Sequence, residues 1–434
     1  MPKWDGIVTV PDVLLPARDV EYAKWAVVAC DQFTSAPAYW QEAAALVGES
    51  PSALSLVLPE VYLAESPDRI EARIADINQQ MEAYLRTGVL TDTGRCAVLT
   101  RRSVPGLADR TGLVLAIDLE RYEYEPGNTA PIRSSEGTVL ERIPPRVRIR
   151  ENAPLELPHV QLLSDDPDGT VLDPLLALCD AGRFDLLYDT PLMLGGGWVK
   201  GWRIPAEDPA LEAAFDALFQ LPSWREHKLL LAVGDGNHSL VTAKACWERI
   251  RPTAAPGHPA RYAMVELINL HDPGLVFEPI HRVLFRCSSD TLLAFARDWF
   301  AGPGVQDGPV EVLEGSLAEA CANGAGPDGC TVSVVGGPAP VSLRFPPSER
   351  LAVDRLQPMV DALANRPGIT VDYIHGDDAL RALAGPETTG ILMPSLPKSR
   401  FFKDIATNGV YPRKTFSTGE AEGKRYYIEA RRIR

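Results

Sequence analysis

A chain of 434 residues has room for two or three compact units at roughly 150 residues each, which excludes a small disulfide-stapled scaffold. Its net charge of −15 excludes phosphate-backbone binding by the surface as a whole, so any anion site has to be a local basic pocket. No apolar run approaches the roughly 18 residues of a membrane span, MPKWDGIVTVPDVLLPARD lacks a basic stretch followed by an apolar one, and seven scattered cysteines form no Cys-x-x-Cys pair, so the expectation is a soluble cytosolic protein with reduced thiols. The 38 prolines and 34 glycines predict many short elements.

In chain order, the first 125 residues read as an α+β region. Ile70, Ile74, Ile77, Met81 and Leu85 recur at spacings of three and four, which predicts a helix with one buried face, closed by Gly88. Two β-rich runs, CAVLTRRSV and RTGLVLAIDLERYEY, flank Pro105-Gly106 and predict a hairpin. The largest charge anomaly follows: five arginines between Arg133 and Arg150 stand against Glu136 and Glu141 alone, a local balance of +3. Thr138-x-x-Glu141 fits a capping box for a short helix ended by Pro144-Pro145, which gives Glu141 a structural task. Glu136 has no such task, and arginines such as Arg142 and Arg146 bind phosphate or carboxylate bidentately. A glutamate in such a pocket can take a hydroxyl proton as general base; the plainer reading is a loop carboxylate paired with a nearby arginine.

Helices at Leu172 to Ala181 and Pro209 to Phe219, with a Gly-rich hairpin tip at Gly195 to Gly197 between them, lead to the strongest candidate site. The apolar strand LLLAV runs into Gly234-Asp235-Gly236-Asn237-His238, and a helix begins at about Ser239 with Leu240, Ala243, Trp247 and Ile250 on one face. Small residues let backbone N–H groups converge at a helix N-terminus, which makes a phosphate cradle of Asp235, Gly236, Asn237 and Ser239 with His238 beside it. The sequence is neither a Walker A loop nor a Rossmann fingerprint. The alternative is a capped strand-to-helix turn in which Asp235 satisfies backbone donors. His281-Arg282, at the end of an apolar strand, reads as a hydrogen-bonding structural pair. Gly, Pro and Ala crowd the stretch from Gly302 to Gly329, and strands then alternate with helices near Leu356 and Phe402 as a second α+β unit. Tyr411-Pro412-Arg413-Lys414-Thr415 places two cations and a hydroxyl in a turn. No Gly-x-Ser-x-Gly, His-Glu-x-x-His or His-Arg-Asp signature is present.

Ser135-Glu136-Gly137-Thr138, ERIPPRVRIRENAPLELPH, AVGDGNHSLVTA, FEPIHRVL and YPRKTFSTGE, in that order, resemble the bacterial domain-of-unknown-function 1015 family over nearly the whole chain. That family's His-Glu-x-Thr, Asp-Gly-His-His-Arg and Pro-Lys-Ser/Thr-Thr steps are similar to those of the archaeal ADP-dependent free serine kinase, a member of the sulfiredoxin and ParB-like fold group. The resemblance implies an α+β fold with a sulfiredoxin/ParB-like core. With the composition shifts, this gives an N-terminal region at 1–125, the core at 126–301, a loop-rich linker at 302–330 and a C-terminal region at 331–434. It also implies Glu136 as general base, nucleotide phosphates at Asp235 to Ser239 with His238 and nearby arginines, and Thr138, Lys414 and Thr415 on the substrate side. ADP or ATP would be the nucleotide, with Mg²⁺.

Three positions depart from the pattern. Ser135 replaces a histidine, Asn237 replaces the first histidine of the turn, and Ser239 replaces its arginine, which removes a fixed cation and its bidentate hydrogen bonds. Asn237 also stands where sulfiredoxins carry a cysteine, which disfavours peroxiredoxin repair. Two functions stay open: a nucleotide-dependent phosphotransferase acting on a small hydroxyl-bearing metabolite, and a catalytically inactive nucleotide- or metabolite-binding regulator. DNA association of the ParB kind is opposed by the charge of −15.

Overall fold

A computed structural model describes residues 6–137, 143–302, 309–315, 331–339, 341–348 and 350–434. The chain divides into two units, the first made of Met1–Val276, Phe402–Val410 and Gly419–Arg434, the second of Phe277–Phe401 and Tyr411–Thr418. No helix among the described residues is long and apolar enough to cross a membrane.

The first unit is built on a mixed sheet of eleven strands. They are β1 (Val8–Thr9), β2 (Asp12–Pro16), β3 (Leu90–Ser103), β4 (Arg110–Asp118), β5 (Tyr122–Glu123), β6 (Ile132–Arg133), β7 (Gln161–Ser164), β8 (Asp185–Leu192), β9 (Gly197–Pro205), β10 (Leu231–Asp235) and β11 (Tyr262–Asn269). Their order is β8-β9-β3-β4-β11-β7-β10-β6-β5, with β1 added to β4 and β2 to β3. The hairpin at Pro105-Gly106 forms, with Val98 opposite Val114 and Arg102 opposite Arg110. Successive side chains of a strand point to opposite faces, and β4 shows the result. Leu113, Leu115 and Ile117 enter one apolar core and Val114 enters the other, so every residue of the strand is buried.

Helices cover both faces. Helix α1 (Pro67–Thr87) sends Ile70, Ile74, Ile77 and Met81 into the second core and ends at Gly88, whose φ of 77° is the left-handed conformation that glycine adopts without strain. At 21 residues it is longer than the proline and glycine content suggests. Helix α2 (Ile143–Arg150) corrects an expectation: Pro144 and Pro145 lie in its first turn and open it instead of ending an earlier helix. A proline in the first turn lacks only an N–H that has no helical partner there. The proposed capping box, Thr138 to Glu141, lies outside the described residues. Helices α3 (Asp173–Asp180), α4 (Pro209–Leu218) and α5 (Asn237–Ile250) cover the other face through Leu175, Leu211, Phe215, Leu218, Leu240 and Trp247. Full burial of each such leucine contributes about 1.5–3 kcal/mol.

The division differs from boundaries at 125 and 301. β3 and β4 pair with β9 and β11, so residues on both sides of position 125 share one sheet. The chain's end also returns to this unit, where Tyr426–Tyr427 pairs with Val27–Val28 and Arg431–Arg432 pairs with Leu155–Glu156.

The second unit holds a seven-stranded sheet formed by Phe277–Phe285, Glu311–Glu314, Thr331–Val335, Val341–Arg344, Thr370–His375, Thr388–Leu392 and Phe416–Thr418. Glu311–Glu314 falls within the stretch expected to be a linker and pairs with Val341–Arg344 at the sheet edge. Leu284, Leu292, Leu343, Leu356 and Met359 form its core, with the helices Ser289–Ala301 and Ala352–Ala364 supplying one side.

Candidate functional site

The strand-to-helix turn sits where β10 leaves the sheet between β6 and β7. Asp235 ends β10, and α5 starts at Asn237, two residues earlier than the periodicity suggests. Gly236 is the hinge: its φ is 82°, and a Cβ there would come within 3.0 Å of the Val160 Cα. Glycine is required both for the left-handed conformation and for the close approach to the residue before β7. No side chain caps this helix and its first turn contains no acidic residue, with the Asp235 carboxylate standing just before it. The Gly236 amide is bonded to the Asp235 carboxylate at 2.9 Å. The His238 carbonyl accepts the Thr242 hydroxyl at 2.7 Å, and the His238 side chain is half-buried.

The segment after β6 reaches this turn. The Ser134 hydroxyl donates to Asn237 Oδ1 at 2.5 Å, and the Asn237 side-chain amide lies 3.4 Å from Ser135 Oγ as donor. Glu136 follows at once and is half-buried. The fold thus brings the Glu136 segment and the Asp235 to Ser239 turn together through parallel pairing of β6 with β10.

The arginine cluster behaves otherwise. Arg146 is ion-paired with Glu60, Arg148 with Glu71 at 2.7 Å and Arg150 with Glu156 at 2.5 Å. The local excess of positive charge is answered by glutamates from elsewhere in the first unit, and no anion is needed to neutralise these three. Thr138 and Arg142 lie outside the described residues. Lys414 and Thr415 belong to the second unit, where the Thr415 hydroxyl closes the turn by donating to the Pro412 carbonyl at 2.6 Å and Lys414 has a φ of 61°.

Five further residues, Cys30, Asp31, His159, Lys424 and Tyr427, are linked to the turn by the fold. The Tyr427 hydroxyl accepts the Cys30 amide at 3.2 Å and lies 2.7 Å from His159 Nδ1. The same hydroxyl lies 3.2 Å from Cys30 Sγ, and His159 Nε2 lies 3.7 Å from Asp31 Oδ2. Burial by itself would raise the Asp31 carboxyl, but His159, a hydrogen bond from Gln32 and the Lys424 ammonium together hold it below the ordinary range. Lys424 in turn lies 3.2 Å from Asp235 Oδ2, so it joins Asp31 to the turn. Cys30 is no nucleophile: burial, with Asp31 beside it, pushes its thiol up to about 12. His159 ends the PLELPH run, the only sequence signal among these five; the others arrive through the fold.

Behind the turn lies a buried ionic network. Glu266 on β11 accepts from Arg425 at 2.8 Å, Thr100 at 2.8 Å and Gln161 at 2.9 Å, while Arg425 also meets Glu429 at 2.5 Å. Burial opposes ionisation of Glu266, yet Arg425 and Arg110 hold its carboxyl below the usual range. Among the described residues no group of three or more His, Cys, Asp or Glu side chains could hold a metal ion.

The free serine kinase in complex with AMP aligns at 11% identity over 73% of this chain and 90% of its own, with a TM-score of 0.41. A conserved hypothetical protein from Pyrococcus furiosus aligns at 10% identity, over 73% and 90%, with a TM-score of 0.36. SbnI with C-terminal truncation, from Staphylococcus aureus, aligns at 8% identity, over 73% and 82%, with a TM-score of 0.35. No curated protein matches the chain in sequence. The family profile described as protein of unknown function DUF1015 matches residues 14–338, three quarters of the sequence, and the chain belongs to that family.

Proposed function

We propose that the protein is a nucleotide-dependent phosphotransferase acting on a small hydroxyl-bearing metabolite, with the turn from Asp235 to Ser239 as its phosphate site, within a sulfiredoxin/ParB-like core. The observation that carries this reading is the Ser134–Asn237 contact, which sets the half-buried Glu136 segment against an uncapped helix N-terminus. A general base and an anion cradle are the two parts that phosphoryl transfer to a hydroxyl needs. In this reading Glu136 takes the hydroxyl proton. The amides from Asn237 onward and His238 hold the nucleotide phosphates, and ADP or ATP brings Mg²⁺ with it.

A second reading is favoured by a specific observation: Ser239 supplies no cation in the turn, as a binding protein without turnover would tolerate. A thermal-shift panel of ADP, ATP and CTP, each with and without Mg²⁺ and serine, separates the two. An enzyme is expected to show nucleotide stabilisation that grows when a hydroxyl substrate is added; stabilisation by nucleotide alone, with no phosphotransfer, selects the regulator. Absence of any nucleotide effect at millimolar concentration would reject both.

A further inference from the structure

We infer that Arg102 and Arg110 form a binding site for a small oxyanion, the carboxylate or phosphate group of a metabolite, where Glu422 and Gly423 meet the first sheet; this stands apart from the phosphotransferase reading. The two arginines are directly opposite each other in the pairing of β3 with β4. Opposite residues project to the same face, so the two guanidinium groups share one side of the sheet with Thr100 and Gly112, the pair two residues further along. Like charges set opposite in this way repel. Both side chains are buried, Arg102 at 4% exposure and Arg110 at 5%. Burial and the neighbouring Arg110 bring the Arg102 guanidinium down to about 10, and burial lowers that of Arg110 as well.

The groups bonded to this pair are all neutral. Arg102 Nη1 donates to the Ser103 carbonyl at 2.7 Å and the Trp198 carbonyl at 3.2 Å, its Nη2 to the Glu422 carbonyl at 2.8 Å, and its guanidinium lies 5.3 Å over the Tyr426 ring. Arg110 Nη2 donates to the Gly423 carbonyl at 3.1 Å. Glu266, Asp272 and Asp235 act on Arg110 from further off. Glu266 is engaged by Arg425, Thr100 and Gln161, Asp272 by the amides of Thr111 and Gly274, and Asp235 by Lys424. Arg102 Nε is the independent observation: it is buried and has no hydrogen-bond partner. A buried donor without an acceptor is rare in folded proteins, and a bound ion is one of its ordinary explanations. A guanidinium presents its donors as a planar fork that matches carboxylate or phosphate oxygens. An oxyanion between the two forks accepts from Arg102 Nε and turns the repulsion of the pair into attraction to a shared charge. Bracing the returning segment would need only one arginine here; the second adds a cost that an anion removes. Glu422 and Gly423 lie in the single turn Ala421–Gly423, closed by the Gly423 amide on the Glu420 carbonyl at 3.0 Å and the Lys424 amide on the Ala421 carbonyl at 3.2 Å, so a shift of this one turn bares the donors.

The test titrates inorganic phosphate and acetate calorimetrically into the full chain at constant ionic strength held by KCl, using the wild type, Arg110→Gln and Arg110→Lys. The wild type is expected to bind at least one of the two anions. Phosphate without acetate assigns a phosphate group, and acetate without phosphate a carboxylate. Arg110→Gln is expected to lose about tenfold or more in affinity for the anion that binds, and Arg110→Lys to recover part of it. A wild type that binds neither anion at millimolar concentration overturns the inference, and so does a folded Arg110→Gln protein that binds as tightly as wild type, because the anion then sits elsewhere. Neither result bears on ADP binding, which is measured separately. Should Arg110→Gln fail to fold, the wild type decides with ¹⁵N-labelled arginine: the Nε–H signal that disappears in Arg102→Lys must shift as the anion saturates. Anion binding that leaves this signal in place overturns the inference.

Discussion

In the first unit two buried arginines are met by carboxylates, Arg425 by Glu266 and Glu429 and Arg431 by Glu156, while the buried Arg102 and Arg110 donate to carbonyls. In the second unit two buried arginines bond to neutral groups and lie over aromatic rings. Arg282, fully buried, donates to Gln357 at 3.0 Å and lies 5.2 Å over the Tyr373 ring; Arg355 donates to the Pro346 carbonyl at 2.7 Å and lies 4.6 Å over Phe345. The difference separates two uses of buried charge. An arginine on carbonyls and ring faces braces a fold, whereas paired buried ions next to an open helix end set the field in which a ligand's phosphate would sit.

The comparison is broken or sharpened first by Glu266→Leu. It leaves Arg425 with Glu429 as its remaining carboxylate and takes the acceptor from Thr100 and Gln161, and urea unfolding of the first unit should lose about 3–5 kcal/mol, the usual cost of breaking a buried ion pair. Arg282→Leu removes a cation that donates to Gln357 and to the Ile280 carbonyl, and the second unit should lose less, about 1–3 kcal/mol. Equal losses would erase the distinction.

Acid is the next probe. Glu266 and Glu156 are held below their ordinary values against burial, chiefly by Arg425 and Arg431 respectively, so their contribution is present above about pH 4.3 and is lost as pH falls through the lower folded values. His281 of the second unit is shifted the other way in charge terms: burial lowers it, opposed by Asp377 at 2.8 Å, while its Nδ1 accepts the Met393 amide at 3.0 Å. Stability there is lost as pH falls from about 6.5 towards the folded value. Amide exchange followed from pH 7 to pH 4 should therefore loosen the strand around His281 before the strands around Glu266; the reverse order would contradict these assignments. The smallest effect belongs to Arg146→Ala, which breaks the half-buried pair with Glu60 and should cost about 1 kcal/mol in the same urea assay.

Local pattern was legible wherever local pattern decides. The spacing of Ile70, Ile74, Ile77 and Met81 marks α1, Pro105-Gly106 marks the β3–β4 hairpin, and the change of period at Gly234 to His238 marks the β10–α5 turn to within two residues. The partners of Arg146, Arg148 and Arg150 were not legible, because Glu60, Glu71 and Glu156 meet them only once the chain folds. The two-residue strands Tyr426–Tyr427 and Arg431–Arg432 are too short to carry a period, so nothing local announced that the C-terminal segment returns to the first sheet's unit with Lys424 and Tyr427.

The central claim is that Glu136 and the Asp235 to Ser239 turn form one phosphoryl-transfer site, and Glu136→Gln tests it most directly. The variant keeps shape and hydrogen bonding while removing the base. Turnover with nucleotide and a hydroxyl substrate should fall by about two to four orders of magnitude while nucleotide affinity changes little. A Glu136→Gln protein that transfers phosphate at the wild-type rate would contradict the account and return Glu136 to the role of a loop carboxylate.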